Sequence, residues 1–327
     1  MFSLSSFVAT EVSLIWPKEK VLEKLTYVGL ANCYKLSNDV IELIVTTDIG
    51  PRILRYGFLG EENILGEIPR AVITTELGDW KPWGGHRLWL APEDNPRSYA
   101  PDDLPVKFEI INENKIRLVQ PADVATGIEK EMTVALDERG SGVTISHYLR
   151  NRTRASIEVS AWAITIMNSG GEAILPQEPY LSWDEYLLPA RPLVLWHYTD
   201  LSDPRWTFSN QFIRLRTDSR MEAPQKMGIG NKQGWAAYHR GTTLFVKNFD
   251  YEQGASYPDY GCNTEVYTAG SVMELESLSP LRNIAPEEFV QHLEHWNLFG
   301  GVDQAADTLR RLQQAPTVPA HMPPTFN

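Results

Sequence analysis

An all-β sandwich is the fold class that this sequence predicts, on three observations. Short runs rich in β-branched and aromatic residues recur with period-two alternation. Turn signals separate them at intervals of about ten residues. Helical periodicity is scarce along most of the 327 residues.

The elements follow in chain order. Residues 40–47, VIELIVTT, read as a buried strand. Residues 106–111 and 115–120 flank Asn112-Glu113-Asn114, a hairpin signal. Residues 129–136 and 143–149 flank a turn containing Gly140-Ser141-Gly142, and 156–167 is a long strand candidate. Residues 235–238 and 243–247 flank His239-Arg240-Gly241, and 265–267 and 271–278 flank Ala269-Gly270. The segment 286–299 fits two patterns. Phe289, Leu293 and Trp296 make a helix stripe, whereas Val290, His292, Glu294, Trp296 and Leu298 make one strand face. Residues 303–314 predict a short C-terminal helix with Val302, Ala306 and Leu309 on one side, ended by Pro316. No repeat and no linker composition appears, so one continuous domain over 1–327 is expected, with a Pro-rich tail from about 315.

Composition excludes several function classes. The formal charge is -12, which argues against a nucleic-acid partner or an anionic membrane surface. No run of 18 apolar residues exists, so no membrane span is expected. The first 20 residues lack a basic n-region and are interrupted by Glu11 and Pro17, a poor signal peptide. Cys33 and Cys262 stand far apart and read as reduced structural thiols, and the expected compartment is the cytoplasm. Neither phosphate-cradling glycine motif is present, nor is zinc-ligand spacing, so no cofactor and no metal are expected.

The densest candidate chemistry is WGGHRLWLAPED, from Trp83 to Asp94. Indole faces stack on the apolar face of a sugar ring while polar neighbours bind hydroxyls, which suits a concave site. Trp83, His86, Arg87 and Trp89 are its candidates; a tight turn with core tryptophans is the plainer reading. The second candidate is the late pair of runs holding Glu265, Glu274 and Glu276. Glu274 and Glu276 share one face of a strand, either a solvated face or a cleft wall. A carboxylate in an aromatic cleft is a general-base candidate. Lys226 is expected in a glycine-containing loop, with an anion or hydroxyl as its possible partner. Arg52, Arg87 and Lys226 would fit an acidic or phosphorylated sugar if they converge.

The order of these motifs resembles the galactose mutarotase-like superfamily, the aldose 1-epimerases and their diverged relatives. The stretches that carry it are DIGPRILR from Asp48 with ENILG from Glu62, GGHRLWLAPE, SAWAITIMNSGGEAILP, KMGIGNKQGWAAY, GCNTEVYT and MELESLSP, spanning residues 40 to 300. The resemblance implies a large antiparallel β-supersandwich, a late strand in the EEFVQHLEHWNLF segment (287–299), and sugar binding on a concave sheet face. It further implies general acid–base exchange of sugar anomers without a cofactor, a glutamate taking the anomeric proton and a histidine protonating the ring oxygen. Glu276 fits the glutamate's context best, then Glu274, then Glu265. The middle strand, from Trp162 to Asn168, holds no histidine where the family's lies, and His86, near the Gly-Gly region, is the expected substitute for that acid. Three functions follow from this reading: an epimerase-like isomerase, a carbohydrate-binding protein without turnover, and a lyase or hydrolase on the same fold.

Overall fold

The computed structural model describes residues 22–95, 97–306 and 309. Two antiparallel sheets account for most of the strands. The first runs, in spatial order, through Glu23–Tyr27, Leu30–Ser37, Ile41–Thr46, Arg52–Phe58, His86–Ala91, Ile157–Met167, Val272–Leu278, Thr264–Ala269, Gln225–Ile229 and Leu193–Leu195. Arg282–Ile284 adds to Ile157–Met167 off that path. The second sheet runs through Lys107–Asn112, Lys115–Gln120, Ile128–Leu136, Val143–Asn151, Phe289–Phe299, Thr243–Phe249, Trp235–Arg240, Glu172–Pro176, Phe212–Arg216 and Trp206–Phe208. Their facing sides interdigitate in one large core that includes Leu43, Ile53, Met132, Ile145, Leu275 and Trp296. Among the described residues no helix is long and apolar enough to cross a membrane.

The expected strands form where alternation was strongest. The ambiguous segment is a strand, Phe289–Phe299, and it buries Val290, His292, Glu294, Trp296 and Leu298. That is the alternating face, which wins because it faces the interlayer core. Of the expected C-terminal helix, residues 305, 306 and 309 are helical, 303 and 304 are not, and 307, 308 and 310–314 lie outside the described residues, as does the Pro-rich tail. Val302, Ala305 and Leu309 pack on a second apolar cluster with Ile174, Phe212 and Trp235. Both cysteines are buried free thiols. One expectation fails: Lys226 is not in a loop. Gln225–Ile229 is an inner strand paired on both sides, and Gly228 lies where an added Cβ would come within 2.4 Å of the Cys262 Sγ. Gly228 is there for close packing rather than for a turn.

The Gly84-Gly85 pair also has a structural cause. Trp83, Gly84 and Gly85 take φ of 58°, 96° and 70°. An added Cβ would meet the Gly66 carbonyl oxygen at 2.1 Å from Gly84, and the Ile53 carbonyl oxygen at 2.1 Å from Gly85. The glycines therefore let three chain segments close on one another, not on a ligand. Gly85→Ala is expected to destabilise by about 1–3 kcal/mol, through strain and backbone overlap. Urea denaturation checks this, and an unchanged midpoint would contradict it.

Candidate functional site

Side-chain alternation in the first sheet builds a cleft on its outer face. In Ile157–Met167, Ala163 and Thr165 point to the interlayer core, so Trp162, Ile164 and Ile166 point outward. In Val272–Leu278, Met273 and Leu275 fill the core and Glu274 and Glu276 take the other face. Register aligns these rows across the sheet. Arg87 pairs with Ile164, Ile164 with Glu276, and Glu276 with Glu265; one step along, Glu274 pairs with Tyr267 and Tyr267 with Lys226. The result is a cleft of about 530 Å³ whose walls include Trp80, Trp89, Tyr99, Trp162, Trp196, Tyr198 and Tyr267.

Its polar groups are few and placed. The Arg87 guanidinium lies 5.2 Å from the Trp80 ring centre and 4.7 Å from that of Trp89. It donates to Glu274 at 3.0 Å, while its Nε and Nη1 are buried without a hydrogen-bond partner. Lys226 forms the floor further along. Its ammonium sits 4.8 and 4.7 Å from the Trp162 and Trp196 ring centres, 2.8 Å from Glu265 and 3.2 Å from Glu276. Glu276 also accepts from Trp162 Nε1 at 2.7 Å. Both carboxyls are fully buried, and burial pushes both above the ordinary carboxylate range, with Lys226 pulling the other way. Burial alone would depress Lys226; Glu265 and Glu276 outweigh it and hold the ammonium well above its ordinary value.

Of the residues singled out in the sequence, Arg87, Trp89, Lys226 and Glu274 line the cleft together, and Glu265 and Glu276 lie directly beneath Lys226. Three do not belong to it. Arg52 is fully buried, paired with Asp102 at 2.8 Å and donating to the Pro82 carbonyl at 2.6 Å, so it braces the turn behind the cleft. Trp83, turned by its positive φ, packs on the cluster of Leu30, Ile44 and Leu54. His86 points to the opposite side of the sheet from Arg87, as strand alternation requires, and is buried between the two sheets. No histidine is among the residues lining the cleft.

His86 instead joins an interlayer polar network. Its Nδ1 lies 2.9 Å from Thr165 Oγ1 and its Nε2 2.7 Å from His147 Nε2. His147 Nδ1 donates to the His292 carbonyl at 3.1 Å, which leaves its Nε2 to accept from His86. Glu294 binds Lys247 at 2.6 Å and accepts from Trp296 Nε1 at 2.8 Å and from Ser277 at 2.5 Å; Ser277 in turn meets His292 Nε2 at 2.7 Å. Burial depresses all three histidines, His292 to about 3. Burial would raise Glu294, but Lys247 and the histidines hold it below its ordinary value. His86, His147 and Glu294 bring three ligand atoms within 4.8 Å of one another. They are a poor metal site, because Lys247 already neutralises Glu294 and a divalent cation would leave excess positive charge in a dry interior.

Sequence reasoning missed Trp80, Trp162, Trp196 and Tyr267 as cleft walls. The alternation of 156–167 held a signal for Trp162, whose side chain falls with Ile164 and Ile166; nothing local marked Trp80, which reaches the cleft from a short hairpin, Ile73–Thr75 with Gly78–Trp80.

No protein-family model and no curated protein matches this chain. Solved structures do. A candidate aldose 1-epimerase from Klebsiella pneumoniae superposes with a TM-score of 0.60 at 11% identity, covering 89% of this chain and 86% of that one. A candidate mutarotase from Salmonella typhimurium gives 0.55 at 11% identity over 86% and 96%. A galactose mutarotase-like protein from Lactobacillus casei gives 0.52 at 10% identity over 82% and 100%. With two antiparallel sheets in this order and these neighbours, the chain has the galactose mutarotase-like β-sandwich fold.

Proposed function

We propose that the protein binds an anionic sugar, one carrying a carboxylate or a phosphate, in the indole-lined cleft and exchanges its anomers by proton transfer. The observation that carries this reading is Arg87. It is 3% exposed, stacked on Trp80 and Trp89, and has two buried nitrogens without partners at the cleft wall. Unpaired buried donors are costly, and a bound anion satisfies them. The indoles supply faces for the ring. Glu274, the glutamate that lines the cleft, is the general-base candidate for the anomeric hydroxyl; the Lys226–Glu265–Glu276 group is the proton source opposite it. The two buried unpaired thiols fit a reducing compartment such as the cytoplasm.

Calorimetry and NMR exchange spectroscopy with glucose 6-phosphate, glucuronate and glucose test this. The anionic sugars should bind more tightly than glucose, and Arg87→Ala should weaken them at least about tenfold, as expected for loss of a charged hydrogen bond of 1.5–3 kcal/mol. Equal binding of all three, or no effect of Arg87→Ala, would overturn the reading. A second reading, sugar binding without turnover, is favoured by the lack of a histidine among the cleft-lining residues. Binding with no acceleration of anomer exchange would select it.

A further inference from the structure

The cleft floor has an unusual charge arithmetic. Glu265 and Glu276 stand on neighbouring strands as a register pair, each with no exposed surface. A single ammonium, Lys226, serves both, at 2.8 and 3.2 Å. Glu265 Oε1 and Glu276 Oε1 have no hydrogen-bond partner at all. Of the three groups Lys226 alone lines the cleft. Its side chain is a flexible stem with rotatable donors, whereas the Arg87 guanidinium is a rigid planar fork, though both lie against a pair of indoles.

We propose that Lys226 is a displaceable latch: when the anionic group of a bound sugar draws its ammonium into the cleft, the Glu265–Glu276 pair beneath takes up a proton and opens toward the ligand. This rests on the anionic-sugar reading. With Lys226 in place, one positive charge lies between two buried carboxyls. Once it leaves, the Trp162 indole N–H is the remaining donor to Glu276. Two uncompensated carboxylates side by side in a dry site cannot both stay ionised, so a proton from the buffer binds a carboxylate oxygen. It returns to the buffer when the ligand departs and Lys226 swings back. The newly uncovered carboxyl O–H is then a donor for the ring oxygen, the role for which the cleft offers no histidine.

Other charges around the pair do not supply this proton. On its own strands lie Glu274 and Tyr267; from the neighbouring elements come Arg87, Glu93, Tyr99, Tyr198, Cys262 and Asp259. Arg87 is engaged by Glu274, and the acidic groups add negative charge that favours protonation of the pair. Lys247 lies on the interlayer side and is held by Glu294.

Two measurements decide the proposal. The first needs no ligand: carboxyl infrared spectroscopy at neutral pH on the intact protein and on Lys226→Met, which removes the latch. The variant should show an added protonated-carboxyl band, and that band should be lost again only when Lys226→Met is combined with both Glu265→Gln and Glu276→Gln. Circular dichroism confirms that both fold, and Lys226→Gln replaces Lys226→Met if it does not. No added band overturns the latch. The second is calorimetry of glucose 6-phosphate and glucuronate in buffers of different ionisation enthalpy. Uptake of about one proton per ligand bound is expected, and its loss in Lys226→Met. Binding without uptake overturns the latch and leaves the anionic-sugar reading standing. If neither sugar binds, that reading fails, and the infrared result still decides whether Lys226 holds the pair.

Discussion

Replacing Lys247 with methionine is expected to destabilise the protein by about 3–5 kcal/mol, the range for removing one partner of a buried ion pair. Lys247 is fully buried, 2.6 Å from Glu294, and also donates to Thr165 and to the Leu275 carbonyl at 3.1 Å each. Its loss strands the Glu294 carboxylate between the sheets. Glu294 would then keep only the Ser277 and Trp296 donors, and the Leu275 carbonyl would lose a partner. A second variant separates charge burial from packing. Lys247→Met with Glu294→Leu removes both charges, so it should recover a large part of the loss. Urea denaturation of the single and double variants measures this; a single variant within about 0.5 kcal/mol of the parent, the ordinary range for surface changes, would show that the pair is solvated.

Acid should unfold the protein steeply below about pH 4.5. His292 is depressed from 6.5 to about 3, and His86 and His147 are also lowered, all by burial. A histidine held neutral in the folded state binds its proton more readily when unfolded, so its contribution to stability falls as pH drops below 6.5. At pH 4.5 His292 alone would have lost about 2–3 kcal/mol, at 1.36 kcal/mol per unit. Glu294, depressed by Lys247, loses its contribution as pH falls below its ordinary 4.5. Glu265 and Glu276 act oppositely: they are raised, so they gain stability as pH falls toward 4.5 and offset part of the histidine loss above it. Below 4.5 that offset is exhausted and the remaining terms share one sign. Urea denaturation across pH 3 to 8 should show this break, and a flat profile from 4.5 to 3 would mean that the buried histidines carry protons in the folded state.

The sheet framework was legible wherever a strand alternates. The segment 286–299 carried the right face as one of two patterns, and the family resemblance, not the period, favoured the strand whose buried members repeat with period two. The strand at 225–229 was not legible, since Gly228 and Gly230 resemble loop residues and their packing role depends on Cys262 and Pro192, distant in sequence. Of the candidate site residues, Arg87, Trp89, Lys226 and Glu274 line one cleft, and indoles, cations and carboxylates clustered in short runs had marked them. His86 was misplaced for a reason also present in the sequence: it adjoins Arg87 on a strand, and neighbours on a strand cannot share a face. Which of the two faced the cleft was fixed by the partners waiting on each side, Thr165 and His147 for one and Trp80 for the other.

The cleft floor and the interlayer network are built back to back on the same strands. Ile157–Met167 sends Trp162 one way and Thr165 the other, and Val272–Leu278 sends Glu276 to Lys226 and Ser277 to Glu294. A single-residue insertion or deletion within either strand would exchange the two chemistries, placing carboxylates in the apolar core and leucine in the cleft. Homologues should therefore differ in length only at the hairpin turns, and a deletion scan of 157–167 and 272–278 should find every one-residue step lethal to folding, with two-residue steps the better tolerated.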